Sequence, residues 1–388
     1  MSDDNLTAPL AGIRVLDLSR VLAGPWSTQC LADLGAEVIK VENPDQGDET
    51  RAWKPPMMGG QSAYFTCANR SKHSLCLDLR NPEDRAAALA LIDRADVLVE
   101  NFRFGTMERF GLAYETLAER NPGLVYCAIS GYGRTGPNAH RPGYDYVIQA
   151  ESGLMSITGF PDGPPTKVGV AVSDLFAGLY ATQSILAALF QRHTSGRGQF
   201  LDVALFDCQM AALANVAANA LATDKPPARY GNGHPNVVPY DVVQAADGPF
   251  VLAIGNDRQF RTLCEVVLEA PALAANDLFR TNADRAENRE NLWRELTPIF
   301  ARKPRAHWIA ALEEQLLPAG ELRTVDQALG SEQVRARDLL HRFDGEDGTP
   351  VRAVRYPVRL AGAQDKEVTC SPALGEGGAD VVRRWLGD

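Results

Sequence analysis

Several signatures of common enzyme classes are missing from the 388-residue sequence. Its seven cysteines are scattered without a Cys-x-x-Cys pair, which argues against both a disulfide framework and a zinc site. There is no Gly-x-Ser-x-Gly elbow and no Walker A lysine motif, and the six histidines show no metal-ligand spacing. Serine-hydrolase, zinc and P-loop chemistries are therefore unsupported.

Long apolar runs and positive charge are also scarce. No uninterrupted apolar run reaches the roughly 18 residues that span a bilayer, and residues 1–5 lack the basic and apolar regions of a signal peptide. We therefore expect a cytoplasmic protein without a membrane partner. The formal net charge of −10 also disfavours nucleic acid, because polyanions bind positively charged surfaces. An anionic ligand would need a local basic cluster.

The first half of the chain alternates short β-branched runs with longer amphipathic ones. This pattern predicts an α/β fold in which helices cover a parallel sheet. We expect strands at residues 13–18, 37–41, 74–77, 97–100, 124–129 and 199–204. We expect helices at residues 26–34, 82–94, 175–192 and 205–222.

Chain length favours two domains. The segment 225–239 contains four prolines and nothing helical, which indicates a linker or an active-site loop at a domain boundary. Beyond it we expect a small α+β domain with a strand at residues 250–254 and helices around Trp293 and Trp308. The tail should be strand-like near 351–359 and end in a helix at 380–386.

A literal G-x-G-x-x-G motif, GYGRTG, occupies residues 131–136 after a predicted strand. In a dinucleotide site these glycines open a helix that faces the pyrophosphate. Here Pro137, Pro142 and Gly143 follow, so we expect no helix to start and no nicotinamide or flavin site.

Basic residues concentrate near the ends of two predicted parallel strands. Such a cluster is most often a solvated face, but open α/β sheets bind ligands at these ends. Asn101 and Phe102 would add an amide and a ring for an adenine-bearing anion, and coenzyme A would suit the set. The cluster comprises Arg70, Lys72, His73, Arg80, Arg103 and Arg109.

Asp174 directly precedes the predicted helix at 175–192, which places it at the N-cap. An aspartate there usually caps backbone amides and stays ionised beside the positive end of the helix dipole. A carboxylate can also act as a covalent nucleophile toward an acyl group. The spacing alone leaves both roles open.

A set of short stretches along the chain carries a resemblance to a known family: LAGIRVLD at 10–17, AGP at 23–25, DLGAEVIKVE at 33–42, GD at 47–48, NRSK at 69–72, VENF at 99–102, SGYG at 130–133, GYD at 143–145 and GVAVSD at 169–174. Through these stretches the chain resembles the class III CoA-transferases, the family of formyl-CoA transferase, carnitine CoA-transferase and the 2-methylacyl-CoA racemases. Segments 131–137, 141–145 and 168–180 look most like its succinate–glutarate and hydroxymethylglutarate branch.

The resemblance places the catalytic aspartate of the family at Asp174. It implies substrate or oxyanion contacts at Gly231, Gly233 and His234, where the glycine-rich loop of formyl-CoA transferase is shortened. It also implies coenzyme A contacts at Val21, Leu22, Asn43, Leu77, Arg80, Asn101, Phe102, Arg103, Arg109, Tyr144 and Asp145.

Two departures from the family pattern bear on specificity. Leu22 stands where formyl-CoA transferase has a glutamine, which argues against formyl or oxalyl specificity. Tyr144 stands where the racemases have a histidine, so the two-base proton exchange of a racemase would lack one of its two bases.

The resemblance also implies an architecture. A Rossmann-like large domain would form from residues 1–224 and 326–388, with a small domain at 225–325. Two subunits would thread through each other as an interlocked homodimer. Coenzyme A would be a substrate, with no permanently bound cofactor and no metal.

Three functions remain open at this point. A transferase would move CoA, with succinyl-CoA as the favoured donor and a short dicarboxylate as the acceptor, through mixed anhydrides and an aspartyl-CoA thioester. A racemase would exchange the α-proton of a 2-methylacyl-CoA without an acceptor. A non-catalytic protein would bind CoA and do neither.

Overall fold

The computed structural model describes residues 7–223, 225–345, 347–362 and 367–387. The strands are β1 Arg14–Asp17, β2 Glu37–Glu42, β3 Met57–Met58, β4 Gln61–Ser62, β5 His73–Cys76, β6 Val97–Glu100, β7 Val125–Ser130, β8 Phe200–Ala204, β9 Tyr240–Ala245, β10 Gly248–Ala253, β11 Ala319–Glu321, β12 Leu340–Asp344 and β13 Pro350–Val354.

The α-helices are α1 Ala23–Asp33, α2 Ala63–Thr66, α3 Pro82–Ile92, α4 Thr106–Arg109, α5 Tyr114–Arg120, α6 Asp145–Glu151, α7 Leu154–Ile157, α8 Val172–Ser195, α9 Leu205–Ala212, α10 Ala214–Thr223, α11 Asp257–Thr262, α12 Pro271–Ala275, α13 Asn282–Glu287, α14 Arg289–Phe300, α15 Arg305–Glu314, α16 Val325–Leu329, α17 Glu332–Ala336 and α18 Gly378–Leu386.

The chain divides into two compact units. The first contains residues 1–154, 168–214 and 335–388, and the second contains residues 155–167 and 215–334. The domain boundaries near 225 and 325 stay a prediction.

A six-stranded sheet organises the first unit. Its order is β5-β2-β1-β6-β7-β8, and every neighbouring pair is parallel. Counted within this sheet the order is 3-2-1-4-5-6, which is the order of a Rossmann-type sheet. The prediction of an α/β fold with a parallel central sheet is confirmed.

Two apolar layers cover the faces of this sheet. One layer places α1 and α8 against the sheet through Val15, Val125, Ala181 and other small side chains. The other places α3, α5 and α18 on the opposite face, where Trp385 of α18 is buried. The last helix therefore packs on the same sheet as the first strand.

Helix α8 is longer than predicted at both ends, since it begins at Val172 instead of residue 175 and ends at Ser195 instead of residue 192. By length and composition alone it could also cross a membrane. Core helices of soluble proteins pass the same test. Here α8 buries Ala177, Ala181, Ile185 and Ala188 in the apolar layer, while other side chains of the helix, such as Phe190, are exposed. A cytoplasmic location stays a prediction.

Two further expectations meet different outcomes. The predicted helix at 205–222 is broken into α9 and α10, because Ala214 has a positive φ of 44° that a continuous helix cannot contain. The glycine motif at 131–136 opens no helix, as expected, since the next helix after β7 is α6 at Asp145.

The second unit contains the antiparallel sheet β11-β10-β9. Phe250, Phe300 and Trp308 form edge-to-face pairs at its centre. Helices α14 and α15 carry Trp293 and Trp308, as the sequence predicts.

Candidate active site

A large cleft of about 440 Å³ opens at the carboxyl ends of β1, β6 and β7 in the first unit. Strands β1 and β6 are the two neighbours at which the strand order reverses, and open α/β sheets bind their ligands at such a switch point. The cleft is lined by residues 20–23, 101–104, 129–131 and 139–144, with Glu49, Thr106, Asp174 and Leu205.

Asp174 lines this cleft as the third residue of α8, so its assignment to the N-cap was wrong. The N-cap is Ala171, and no side chain caps the helix there. A first-turn position would favour the charged form. Burial, followed by the nearby charge of Asp145, outweighs this and raises the pKa of Asp174 to about 7. The expectation that the helix start holds Asp174 fully ionised was therefore also wrong.

Asp145 holds the start of α8 in place. One of its carboxylate oxygens accepts the Ser173 amide at 2.8 Å, and the other accepts Gln149 Nε2 at 2.7 Å. The Ser173 hydroxyl in turn donates to the buried Gln209 at 2.9 Å. Asp174 itself forms no hydrogen bond or ion pair with the described residues, so its carboxylate is available to a ligand in the cleft.

A small cleft of about 150 Å³ lies beside the large one, and Arg20 and Phe102 line both. The Arg20 guanidinium lies over the Phe102 ring, 5.1 Å from its centroid. The structure distributes most of the predicted coenzyme contacts between the two clefts. The large cleft has Val21, Leu22, Asn101, Phe102, Arg103 and Tyr144, and the small one has Asn43, Leu77, Arg80 and Phe102.

Parts of the predicted basic cluster have internal roles instead. Arg70 and Lys72 are buried, and they pair with Asp33 and Asp17 at 2.9 and 3.1 Å. These two cations are therefore not available to an anionic ligand, and the cluster is smaller than the sequence suggested. Lys72 directly precedes β5, and the pairing of β5 with β2 brings it into the interior beside Asp17. The sequence does not reveal this pairing.

Of the remaining predicted contacts, Arg80 lines the small cleft, whereas Arg109 and Asp145 line neither cleft. Arg80 forms an exposed ion pair with Asp78. Arg109 lines neither cleft and donates to Thr106 at 3.0 Å. Asp145 also lines neither, and it acts on the cleft through Ser173 and Asp174.

Gly231, Gly233 and His234 belong to the second unit. Their amides donate to the carbonyls of Gly159, Tyr230 and Tyr240 at 3.1, 2.9 and 3.3 Å. In this conformation the three amides are engaged, so binding an oxyanion would require the loop to release them. Their role stays a prediction.

Several residues that line the large cleft belong to no motif that the sequence analysis identified. Arg20, Phe104, His140 and Arg141 line the large cleft, and Arg141 forms an ion pair with Glu151. These positions come from loops that only the folded sheet brings together. In the described ranges, no group of three or more His, Cys, Asp or Glu residues could hold a metal ion.

Tyr64 was also missed. Its ring meets Trp53 edge-on, with 4.8 Å between the centroids. Burial, and next the charge of Asp174, raise the pKa of its hydroxyl to about 12. Tyr64 is therefore a neutral hydroxyl within electrostatic reach of Asp174.

Comparison with known proteins identifies the family of the chain. The family model for CoA-transferase family III matches residues 10–378. A succinate–glutarate CoA-transferase of Agrobacterium fabrum is 44% identical over 384 residues, covering 97% of this chain and 96% of the relative. An acetyl-CoA:oxalate CoA-transferase of Acetobacter aceti is also 44% identical, over 379 residues, with the same two coverages.

The fold comparison agrees as well. The crystal structure of a CaiB/BaiF family protein from Brucella suis is 42% identical, superposes with a TM-score of 0.85, and covers 98% of this chain and 100% of that one. The chain therefore belongs to the class III CoA-transferase family and is a transferase.

Proposed function

We propose that the protein transfers coenzyme A from an acyl-CoA, with succinyl-CoA as the favoured donor, to a short dicarboxylic acid. The observation that carries this proposal is the Asp174 carboxylate, which is half-buried in the large cleft and forms no hydrogen bond or ion pair with the described residues. A carboxylate with little hydration and no partner is a better nucleophile than a solvated or salt-bridged one.

The reaction proceeds in two symmetrical halves. A carboxylate oxygen of Asp174 attacks the thioester carbon of the donor, the carbon–sulfur bond breaks, and a mixed anhydride and the CoA thiolate form. The thiolate attacks the Asp174 carbonyl carbon and expels the donor acid, which leaves with one former Asp174 oxygen. The resulting aspartyl-CoA thioester is then attacked by the acceptor carboxylate, which releases the thiolate. Attack of that thiolate on the acceptor carbonyl restores Asp174 and forms the new acyl-CoA.

The proposed residues have distinct tasks. The cations Arg80 and Arg103, together with Arg20, would bind the phosphates of CoA, because guanidinium groups match phosphate geometry. The Phe102 ring would pack against the adenine or the pantetheine arm. Amides of Gly231 and Gly233 would stabilise the oxyanions once they leave their present carbonyl partners.

The relatives support a dicarboxylate acceptor. Those at 39–44% identity include enzymes named for glutarate, oxalate and mesaconate, all of which are short diacids. Leu22 presents an apolar side chain to the large cleft where formyl-CoA transferase has an amide. An apolar wall favours an acceptor with a methylene chain over oxalate, so we propose glutarate or a similar diacid.

The proposed function is tested by incubating the purified protein with succinyl-CoA and each of a panel of acids, and separating the CoA esters by chromatography. We expect glutaryl-CoA or a related diacid ester to form, with oxalyl-CoA and formyl-CoA slower. Loss of an α-proton from 2-methylacyl-CoA in deuterium oxide without an acceptor would instead indicate a racemase. CoA binding with neither reaction would contradict enzymatic function.

The raised pKa of Asp174 predicts a pH dependence. Because the nucleophile must be ionised, kcat/KM should rise about tenfold per pH unit in acid and level off above about pH 7. Asp145→Asn removes the like charge and keeps an acceptor for the Ser173 amide, so it should move the midpoint to lower pH. Rate profiles of both proteins check this, with Asp207→Asn as the control. An unmoved midpoint in Asp145→Asn would contradict the electrostatic argument.

We further propose that the protein is an interlocked homodimer. Large apolar side chains project from the first unit without cover, including Phe190 of α8 at 81% exposure and Tyr146 of α6 at 60%. Exposed large apolar side chains on two helices of one unit support a surface that a partner covers. Light scattering should find twice the 42.1 kDa chain mass down to nanomolar concentrations. A fully active monomer would contradict this proposal.

A further inference from the structure

Val21 has a backbone conformation that valine rarely adopts. Its φ is +69°, in the left-handed region, where a β-branched side chain is strained and glycine is not. Val21 lines the large cleft between β1 and α1. Strain of this kind persists only where the surrounding structure enforces it, and it concentrates at functional sites.

The backbone that leads into Val21, from the Ser19 carbonyl to the Val21 amide, is held by three side chains. Lys40 Nζ donates to the Ser19 carbonyl at 2.8 Å. The Asn101 carboxamide accepts the Arg20 amide at 2.8 Å and donates to the Arg20 carbonyl at 2.7 Å. Both polar atoms of the Asn101 carboxamide therefore bond the backbone of the loop between β1 and α1.

The third side chain is Asp48, whose carboxylate accepts the Val21 amide at 3.2 Å. Asp48 also pairs with Lys40 at 2.9 Å, and both side chains are fully buried. The same lysine therefore holds Ser19 directly and Val21 through Asp48. Removing one partner of a buried ion pair leaves an uncompensated charge, so separating the Lys40 and Asp48 side chains is strongly unfavourable.

A second buried pair supports the first. Asp17 and Lys72 pair at 3.1 Å with both side chains fully buried, and Asp17 also accepts the Ser19 amide at 2.9 Å. Burial would favour neutral Asp17, but Lys72 and Lys40 outweigh it and hold its pKa at about 2. Asp17, Asp48, Lys40 and Lys72 thus form a cluster of zero net charge directly beneath the loop.

We propose that Lys40 and Asp48 are positioning residues that hold Val21 in its strained conformation and thereby fix the Val21–Leu22 backbone at the wall of the large cleft. Lys40 lines neither cleft, so it acts through the loop, whereas Asp48 also lines the small cleft. Lys40→Met is therefore the primary anchor variant. The effect on turnover rests on the proposed CoA-transfer function, whereas the effect on CoA binding does not.

The test combines an anchor variant with a change that removes the strain. Lys40→Met should lower kcat/KM about 10- to 100-fold, because the loop relaxes away from the position that the reaction needs. Val21→Gly alone gives the reference rate for the double variant, because glycine adopts a φ of +69° without help but also removes a side chain from the cleft. Combined with Lys40→Met, Val21→Gly should restore activity about tenfold.

Val21→Ala in the same Lys40→Met background is the matched control. Alanine removes the same methyl groups but still disfavours a positive φ, so it should restore little. Because Lys40→Met could fail to fold, Asp48→Asn provides a second anchor variant, and CD spectra identify the folded proteins. We expect the variants to rank in the same order when their CoA affinities are measured by calorimetry. This measurement needs no acceptor acid, so it does not depend on knowing which acid the protein uses.

Two outcomes would overturn the proposal. One is full activity and CoA affinity in folded Lys40→Met and Asp48→Asn proteins. The other is a double variant, Lys40→Met with Val21→Gly, whose loss in kcat/KM equals the product of the two single losses. In that case glycine at position 21 would restore nothing, as expected if Lys40→Met caused only a general structural defect. An inactive parent protein that still binds CoA would count against the proposed function alone.

Discussion

Replacing Asp174 by asparagine should lower kcat for CoA exchange by about 10⁴-fold or more. The amide has the size of the carboxylate but no nucleophilic oxygen anion, so neither the anhydride nor the thioester can form. CoA binding should remain within about threefold, because the proposed phosphate contacts at Arg80 and Arg103 are untouched. Turnover assays with product separation, together with calorimetry, measure the two effects separately.

The same substitution should stabilise the protein at alkaline pH. The pKa of Asp174 is about 7 in the folded state, against a usual value of 3.8. Between these values the folded protein binds a proton that the unfolded chain has lost, so the free energy of unfolding falls as pH rises through this window. The asparagine side chain does not titrate, so the variant lacks this decrease in the free energy of unfolding. We expect it to be more stable by about 1–3 kcal/mol at pH 8, with the difference vanishing near pH 4.

Asp207→Asn is the matched control for both effects. Asp207 is likewise the third residue of a helix, α9, but it is exposed and does not line the large cleft. Its replacement should leave turnover and stability nearly unchanged. Equal losses in the two variants, or near-normal turnover in Asp174→Asn, would contradict the assignment of the nucleophile.

Gly131→Ala should lower kcat/KM by about 100-fold. A Cβ atom on Gly131 would lie 2.6 Å from the Gly143 Cα atom, and backbone at that distance must move. The displaced segment leads into Tyr144 and Asp145, and Asp145 holds the Ser173 amide next to the nucleophile. A misplacement on the order of 1 Å there is sufficient for such a loss.

Gly320→Ala provides the comparison for this prediction. Gly320 lies in β11 of the second unit, and a Cβ atom there meets nothing within 4 Å. We expect ordinary activity and a closely similar melting temperature. If Gly131→Ala retained the activity of Gly320→Ala, the close approach of the two backbones would have no functional meaning.

Much of the first unit could be predicted from sequence because its signals are local. The strand at 97–100 matches β6 at both ends, and its fully buried apolar run is typical of a parallel sheet. The final helix was found within two residues, since Trp385 and Val381 follow helical spacing. Asp174 was different: its local pattern indicated a helix cap, and only the resemblance to a family indicated a nucleophile.

What escaped prediction depends on contacts between distant parts of the chain. Arg70 and Lys72 read as ligand-binding cations, although their partners Asp33 and Asp17 lie 37 and 55 positions earlier in the chain. The raised pKa of Asp174 arises from burial and from Asp145 on another helix. Neither periodicity nor motif spacing carries such information.

The central claim is that Asp174 forms a covalent bond with the substrate. The most direct test is mass spectrometry of the protein after brief incubation with succinyl-CoA without an acceptor, followed by acid quenching and proteolysis. We predict that the peptide containing Asp174 gains the mass of CoA less one water, and that Asp174→Asn shows no such gain. Turnover in the same preparation without an adduct on Asp174, or with the adduct on another residue, would contradict the account.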